Sequence, residues 1–300
     1  MNMIYDVIII GGSYAGLSAA LALGRAKRNV LIIDSNKPCN KQTPHSHNFL
    51  THDGDKPSEI SAIAKAEVLT YPTVKFIDGE AISAKEFNNR FEVTLADESI
   101  FTSRKILLAT GLMDVLPEIP GFKECWAISV IHCPYCHGYE VKDEKVGILL
   151  NGDMAFDMSK MIHHWNNDVT LLTNGLSQLT EEQSSLLKSK SIKIIETKLS
   201  AIQHQDGYLN NIVFQNGEKL NLAALYAKPK MVQHSDIYAK LNCEINQNGL
   251  LVVDAFQKTT NYGVYAAGDC TTMFRSLAAA TAAGSMAGAM INKDLIWEDF

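Results

Sequence analysis

Residues 4–34, IYDVIIIGGSYAGLSAALALGRAKRNVLIID, decide the fold. The run IYDVIII is apolar almost throughout, as expected of a strand buried on both faces of a parallel sheet. GGSYAG follows at 11–16, then a small-residue helix over LSAALALGRA and a second strand, Asn29–Ile33, that stops at Asp34. Strand, glycine turn, helix, strand and acid, in that order, make a dinucleotide-binding unit. Gly11 serves the tight turn and Gly16 the close packing of helix on strand. The helix N-terminus beyond Gly12, Ser13, Tyr14 and Ala15 receives a pyrophosphate, and Asp34 accepts hydrogen bonds from a ribose. Ser13 stands where the pattern has its middle glycine, a small residue that still leaves its backbone open to approach.

The remaining composition excludes several classes of function. The chain has 300 residues, enough for two ordinary domains, with 46% hydrophobic and 20% charged residues and a net charge of −6. That balance offers no electrostatic pull on nucleic acid or on an anionic membrane. The N-terminus has no basic region before its short apolar run, so a cytoplasmic protein without a leader or membrane span is expected. In a reducing compartment six scattered cysteines do not predict structural disulfides.

Two distant segments extend the first reading. KILLATG (105–111) is a buried strand ending in Ala109-Thr110-Gly111. YGVYAAGD (262–269) is another strand, ending in Gly268-Asp269 ahead of the small-residue helix LAAATAAGSMAGAMI (277–291). With GGSYAG, these segments resemble the flavoproteins built from two dinucleotide-binding domains. The resemblance implies FAD, with Ala109–Gly111 beneath the flavin and Asp269 on its ribityl chain. It adds Lys41, Gln42 and Asn48 from the loop after the second strand, and Ser276 and Leu277, to the cofactor-binding set. On residue type alone, Asp269 also suits the N-cap of the last helix.

Between these segments lies a second α/β stretch: a strand at 145–150, a helix at 155–165, a strand at 168–172, and a hairpin signal at Asn216-Gly217. The expected fold is therefore α/β, two Rossmann-like dinucleotide-binding domains with the second inserted into the first. The FAD-binding domain takes 1–117 and 245–300 and the inserted domain 118–244. Hinges are expected near 112–120 and 228–245.

The inserted stretch opens with His132-Cys133-Pro134-Tyr135-Cys136-His137. A zinc site would need two further ligands at matching spacing, and no second CxxC exists. CPYCH reads literally as a c-type haem attachment, chemistry that belongs outside the cytoplasm. Two structural thiols, or a redox disulfide whose short loop cycles with little backbone movement, remain. The redox pair is favoured because an FAD domain supplies its electron partner; a helix N-terminus or neighbouring imidazolium would stabilise the attacking thiolate, and His137 can move the proton of exchange.

With CPYC at the start of the inserted domain, GGSYAG, ATG and YAAGD make the whole chain resemble the low-molecular-weight thioredoxin reductases. CPYCHGYE itself is similar to the FAD dithiol oxidases that close disulfides in small natural products. The resemblance implies that Cys136 approaches the flavin, that Cys133 meets the substrate sulfur, and that the acid or base usually supplied by aspartate is His137. It also implies a homodimer. No metal is expected.

Two departures bear on the electron donor. Where reductases carry GGGDSA, this chain has Leu150-Asn151-Gly152-Asp153-Met154-Ala155, and a leucine there is expected to disfavour the turn. Where they carry a basic cluster for a 2′-phosphate, it has Thr173-Asn174-Gly175, with no cation. The leading expectation is thus a dithiol oxidase without NADPH, oxygen being the acceptor and a small dithiol the substrate. The alternatives are an NAD(P)H- or protein-fed reductase of a thioredoxin-like protein, and a low-turnover flavin redox sensor. His45 and His47 are candidate substrate-side groups and Cys39 a candidate reactive thiol.

Overall fold

The structure is a computed structural model, and it describes residues 3–300. The chain runs β1 (Ile4–Ile10), α1 (Tyr14–Arg25), β2 (Val30–Asp34), α2 (Pro57–Val68) and β3 (Val74–Asp78). An antiparallel pair, β4 (Ala81–Phe87) and β5 (Arg90–Leu95), leads into β6 (Ile100–Leu108). After β7 (Leu112–Val115) come α3 (Phe122–Cys125), β8 (Val130–Ile131), the single turn α4 (Pro134–His137), β9 (Val146–Leu149) and α5 (Gly152–Ile162). Next are β10 (Val169–Leu172), α6 (Glu181–Ser189), β11 (Lys193–Ile195), β12 (Leu199–Gln205), β13 (Tyr208–Phe214), β14 (Lys219–Asn221) and β15 (Ala224–Ala227). The return path is β16 (Lys230–Gln233), α7 (Ile237–Lys240), β17 (Val264–Ala266) and α8 (Leu277–Asp299).

The first sheet has the order β3-β2-β1-β6-β5-β4. β6 is long enough to serve two partners on one side. Its first half pairs antiparallel with β5, and Ile106–Leu108 pair parallel with β17. Strand parity divides the core into layers. Val7, Ile9 and Leu107 pack under α1 and α8 with Ala19, Ala287 and Ile291, while Ile8, Ile10, Ile106 and Leu108 face Phe91 and Val93 on the other side. The second sheet is fully parallel, β11-β10-β9-β15-β8, and its strands Val169–Leu172 and Ala224–Ala227 are buried at every position. The chain crosses between the sheets twice, and the two crossings pair as an antiparallel ribbon, Leu112 with Gln233 and Val115 with Lys230.

The small residues of α8 have a steric reason. A Cβ on Gly284 would lie 2.0 Å from the Ala15 carbonyl oxygen, and one on Gly288 would lie 2.6 Å from that of Ala19. The two helices touch backbone to backbone, which only glycine permits.

Several expected boundaries move. The strand expected at 105–111 begins at Ile100 and ends at Leu108, which frees Ala109–Gly111 as a turn with Gly111 at φ 66°. The helix expected at 155–165 starts earlier, at Gly152, because Asn151 caps it, and stops at Ile162. The Asn216-Gly217 turn joins β13 to β14 as expected. Among the described residues no helix is long and apolar enough to cross a membrane.

Candidate active site

Three strand ends gather at one edge of the first sheet. The Ala109 N–H donates to the Ile10 carbonyl at 2.8 Å, and the Ala267 N–H donates to the Leu108 carbonyl at 3.0 Å. The turn at Gly11–Gly16, the Ala109–Gly111 turn and Gly268-Asp269 are thereby neighbours. Gly11 (φ 109°) is indispensable, since a Cβ there would sit 2.2 Å from the Ala109 carbonyl oxygen. Gly16 is equally constrained, at 1.9 Å from the Gly11 carbonyl oxygen. Ser13 needs no glycine because its backbone is extended (φ −91°, ψ −163°). Its side chain makes no capping bond, and the first turn of α1 holds no acid. The amides at this helix end are thus left for an anionic ligand. One oxygen of Asp34 accepts from the Gly12 N–H at 3.0 Å. Tyr14 is buried and donates to the Pro57 carbonyl at 3.3 Å.

Asp269 does not cap the last helix. It opens a single 3-10 turn, and the cap is Ser276, whose hydroxyl accepts from the Ala279 N–H at 3.1 Å just before Leu277. Asp269 is instead held by Arg275, whose Nε donates to it at 3.1 Å. Burial raises the Asp269 pKa, and the Arg275 charge opposes that rise. Arg275 also forks onto Asp114 at 2.7 and 3.3 Å. Burial works against its charge, but the bond to Asp114 and the nearby anions outweigh it and raise its pKa. The Arg275–Asp114 pair spans the flavin-side turn and the inter-sheet ribbon, and nothing in local sequence signals it.

The second cluster surrounds α4. Cys133 and Cys136 are joined as a disulfide with Cα atoms 5.3 Å apart, within the ordinary range. The turn is fixed by the Gly138 N–H donating to the Pro134 carbonyl at 2.7 Å. Burial depresses the pKa of His137 to about 4, with smaller contributions from His132 and His47, and burial does the same to His132. The expected imidazolium beside the thiols is therefore absent at neutral pH. His137 is a neutral imidazole able to accept a proton, and α4, one turn long, adds little dipole. His132 stacks on Trp126, centroids 5.8 Å apart.

A cleft of about 280 Å³ opens beside this turn, lined by His47, Asn48 and Asp53 from one side and Pro134, Tyr135, Tyr139, Glu140 and Trp165 from the other. His47 bridges the walls, 3.4 Å from the Glu140 carboxylate and 3.7 Å from that of Asp53. Asn48 thus lies on this cleft. Lys41 is exposed, and the Gln42 amide is engaged with the Lys123 and Trp126 carbonyls at 3.3 Å each. His45 bonds the Gly54 carbonyl at 2.9 Å and serves its own loop.

In the second sheet the β9–α5 turn forms despite its leucine. Neither Leu150 nor Asn151 has a positive φ. The left-handed step falls on Gly152, at 64°. A cation also comes near the β10 turn from elsewhere, since the Lys198 Cε would lie 3.7 Å from a Cβ on Gly175.

Residues 5–287 match the family of pyridine nucleotide-disulphide oxidoreductases. The chain belongs to that family. It is 30% identical over 308 residues to thioredoxin reductase aclD of Aspergillus oryzae, covering 99% of this chain and 98% of that one. It is 31% identical over 308 residues to thioredoxin reductase tcpT of Claviceps purpurea, covering 98% and 95%. The structure of a putative thioredoxin reductase TrxB from Bacillus anthracis superposes with a TM-score of 0.95 at 33% identity, covering 99% and 100%. This pyridine nucleotide-disulphide oxidoreductase is a flavin enzyme with FAD as cofactor. The first-sheet crevice suits FAD: open α1 amides for its pyrophosphate, Asp34 for a ribose, and half-buried Asp269 beside the Ala109–Gly111 turn.

Proposed function

We propose that the protein oxidises small dithiols to disulfides through the Cys133–Cys136 pair, with oxygen as final acceptor. The observation that carries this is the cleft at the CPYC turn. Its aromatic wall and two carboxylates suit a compact substrate with a flat apolar body. The same reading divides the chain at 117/118, just after β7, and at 244/245, after β16 and α7.

Chemically, a substrate thiol gives its proton to the neutral imidazole of His137 and attacks Cys133 Sγ. The Cys133–Cys136 bond breaks, a mixed disulfide forms, and Cys136 leaves as a thiolate that takes the proton back from His137. The second substrate sulfur then attacks the first, closing the substrate disulfide and releasing Cys133 as a thiol. Two electrons and two protons have passed from substrate to the pair. FAD, when bound at the α1 amides and Asp269, would supply the two-electron acceptor for return of the pair to a disulfide, with oxygen as the final acceptor. Arg275 keeps Asp269 in place at the cofactor edge, and Trp126 stacks on the ring of His132.

A second reading has one observation in its favour, the name thioredoxin reductase borne by both curated relatives. It would have the pair reduce a thioredoxin-like protein. Mixing the protein with a small dithiol in air separates the two. Hydrogen peroxide equal to the disulfide formed supports the oxidase, and its absence, together with turnover of a thioredoxin-like disulfide, supports the reductase.

A further inference from the structure

The family's name implies a pyridine nucleotide, and the residues of the second sheet do not fit one. At α5, where a dinucleotide pyrophosphate would meet the helix N-terminus, the chain supplies its own ligand. The side-chain oxygen of Asn151 accepts from the Gly152 N–H at 2.9 Å and from the Gln178 N–H at 2.8 Å. Its amide nitrogen donates to the carbonyls of Leu176 at 3.0 Å and Thr173 at 3.4 Å. One side chain thus caps the helix and pulls the loop after β10 down over it. The Gln178 Oε1 would lie 3.6 Å from a Cβ placed on Gly152.

Charge opposes a phosphate as well. Asp153 stands in the first turn of α5 and accepts from Gln183 at 2.8 Å. Glu196 accepts from the Ser177 N–H at 2.8 Å on the far side of the same loop. Lys198 approaches the same loop at Gly175, and these two carboxylates oppose the welcome it offers an anion.

We infer that Asn151 is the residue that excludes pyridine nucleotides from this protein. The inference rests on the oxidase reading and deepens it, because it names what prevents the second sheet from supplying electrons. The β9–α5 turn itself is no obstacle, since its only left-handed residue is already glycine.

The test is calorimetric titration of the FAD-loaded protein with ADP-ribose and, separately, NADPH. Wild type should show no saturable heat up to about 5 mM ligand. Asn151→Gly should bind ADP-ribose with a Kd of about 0.5 mM or tighter, a gain of at least tenfold, roughly one charge-assisted hydrogen bond restored. Asn151→Ala tolerates the same extended backbone and should gain in the same direction, which guards against a glycine variant that fails to fold. Unchanged flavin content and melting temperature certify each variant. Folded variants that bind no better than wild type, or wild type that itself binds at micromolar ligand, would overturn the inference. Flavin bleaching by dithiothreitol in the same preparations keeps the two claims apart. Bleaching with no gain of binding removes Asn151 alone, whereas gain of binding with no bleaching removes the oxidase reading alone.

Discussion

The β1–α1 turn and the β9–α5 turn are the same strand–turn–helix unit with opposite outcomes. In the first, Ser13 leaves the amides of α1 uncapped and no acid stands in the first turn. In the second, Asn151 satisfies the helix from within and Asp153 stands beside it. Both turns keep a left-handed glycine, Gly11 at 109° and Gly152 at 64°. On the reading proposed above, what would separate a cofactor site from a structural copy of one is whether the helix end still needs a partner. Backbone shape is shared.

The sharpest way to break this contrast is at the open turn. Gly16→Val or Gly11→Val places side-chain atoms on backbone carbonyls, so each should yield colourless or insoluble protein, read from the flavin absorbance after purification. Asn151→Ala, at the matching place in the second sheet, should purify yellow. Next in size is the disulfide. Cys133→Ser and Cys136→Ser should each lower dithiol oxidation by about 10³-fold or more, as loss of a covalent step does, and leave flavin content unchanged. Wild-type turnover in either variant would make the pair structural.

His137→Ala comes third, slowing flavin reduction by dithiols about 10²-fold, the lower range for general acid–base catalysis. Its pH dependence carries a sign. A folded pKa lowered from 6.5 to about 4 keeps the base neutral across pH 5–8, and protonation removes it only as pH falls towards 4. A rate limb near pH 6.5 assigned to His137 by its loss in the alanine variant would contradict that burial. The same depression makes folding stability rise with pH between about 4 and 6.5, where the unfolded chain binds more protons. The smallest effect is expected at Asn151. Its alanine variant should change dithiol turnover less than about twofold, because it lies in the second sheet's turn and not among the residues lining the dithiol cleft.

The sequence was most legible where one residue type serves both fold and ligand. GGSYAG announced the turn, the helix start and the cofactor edge together, and the CxxC spacing announced the disulfide. Legibility ended where function depends on distant contacts. Arg275 and Asp114 lie 161 positions apart, so their pairing leaves no local trace. Asp269 suited a helix cap by type, yet Ser276 is closer to the start of α8 and takes that role. The neutrality of His137 follows from burial that no tetrapeptide encodes. Leu150 stands where the reductase pattern has glycine, yet neither it nor Asn151 has a positive φ, so the turn does not require glycine at either position. The Asp206-Gly207 turn of the β12–β13 hairpin is legible in the sequence as a turn dipeptide, and both residues are left-handed.

We propose that electrons enter this flavoprotein from a dithiol through Cys133–Cys136 and not from a pyridine nucleotide through the second sheet. Anaerobic stopped-flow mixing of the purified protein with dithiothreitol and, in parallel, with NADPH tests it most directly. The account predicts that the dithiol bleaches the flavin at least about 100-fold faster than NADPH at equal concentration, and that hydrogen peroxide appears when oxygen is admitted. Rapid, saturable bleaching by micromolar NADPH would contradict it.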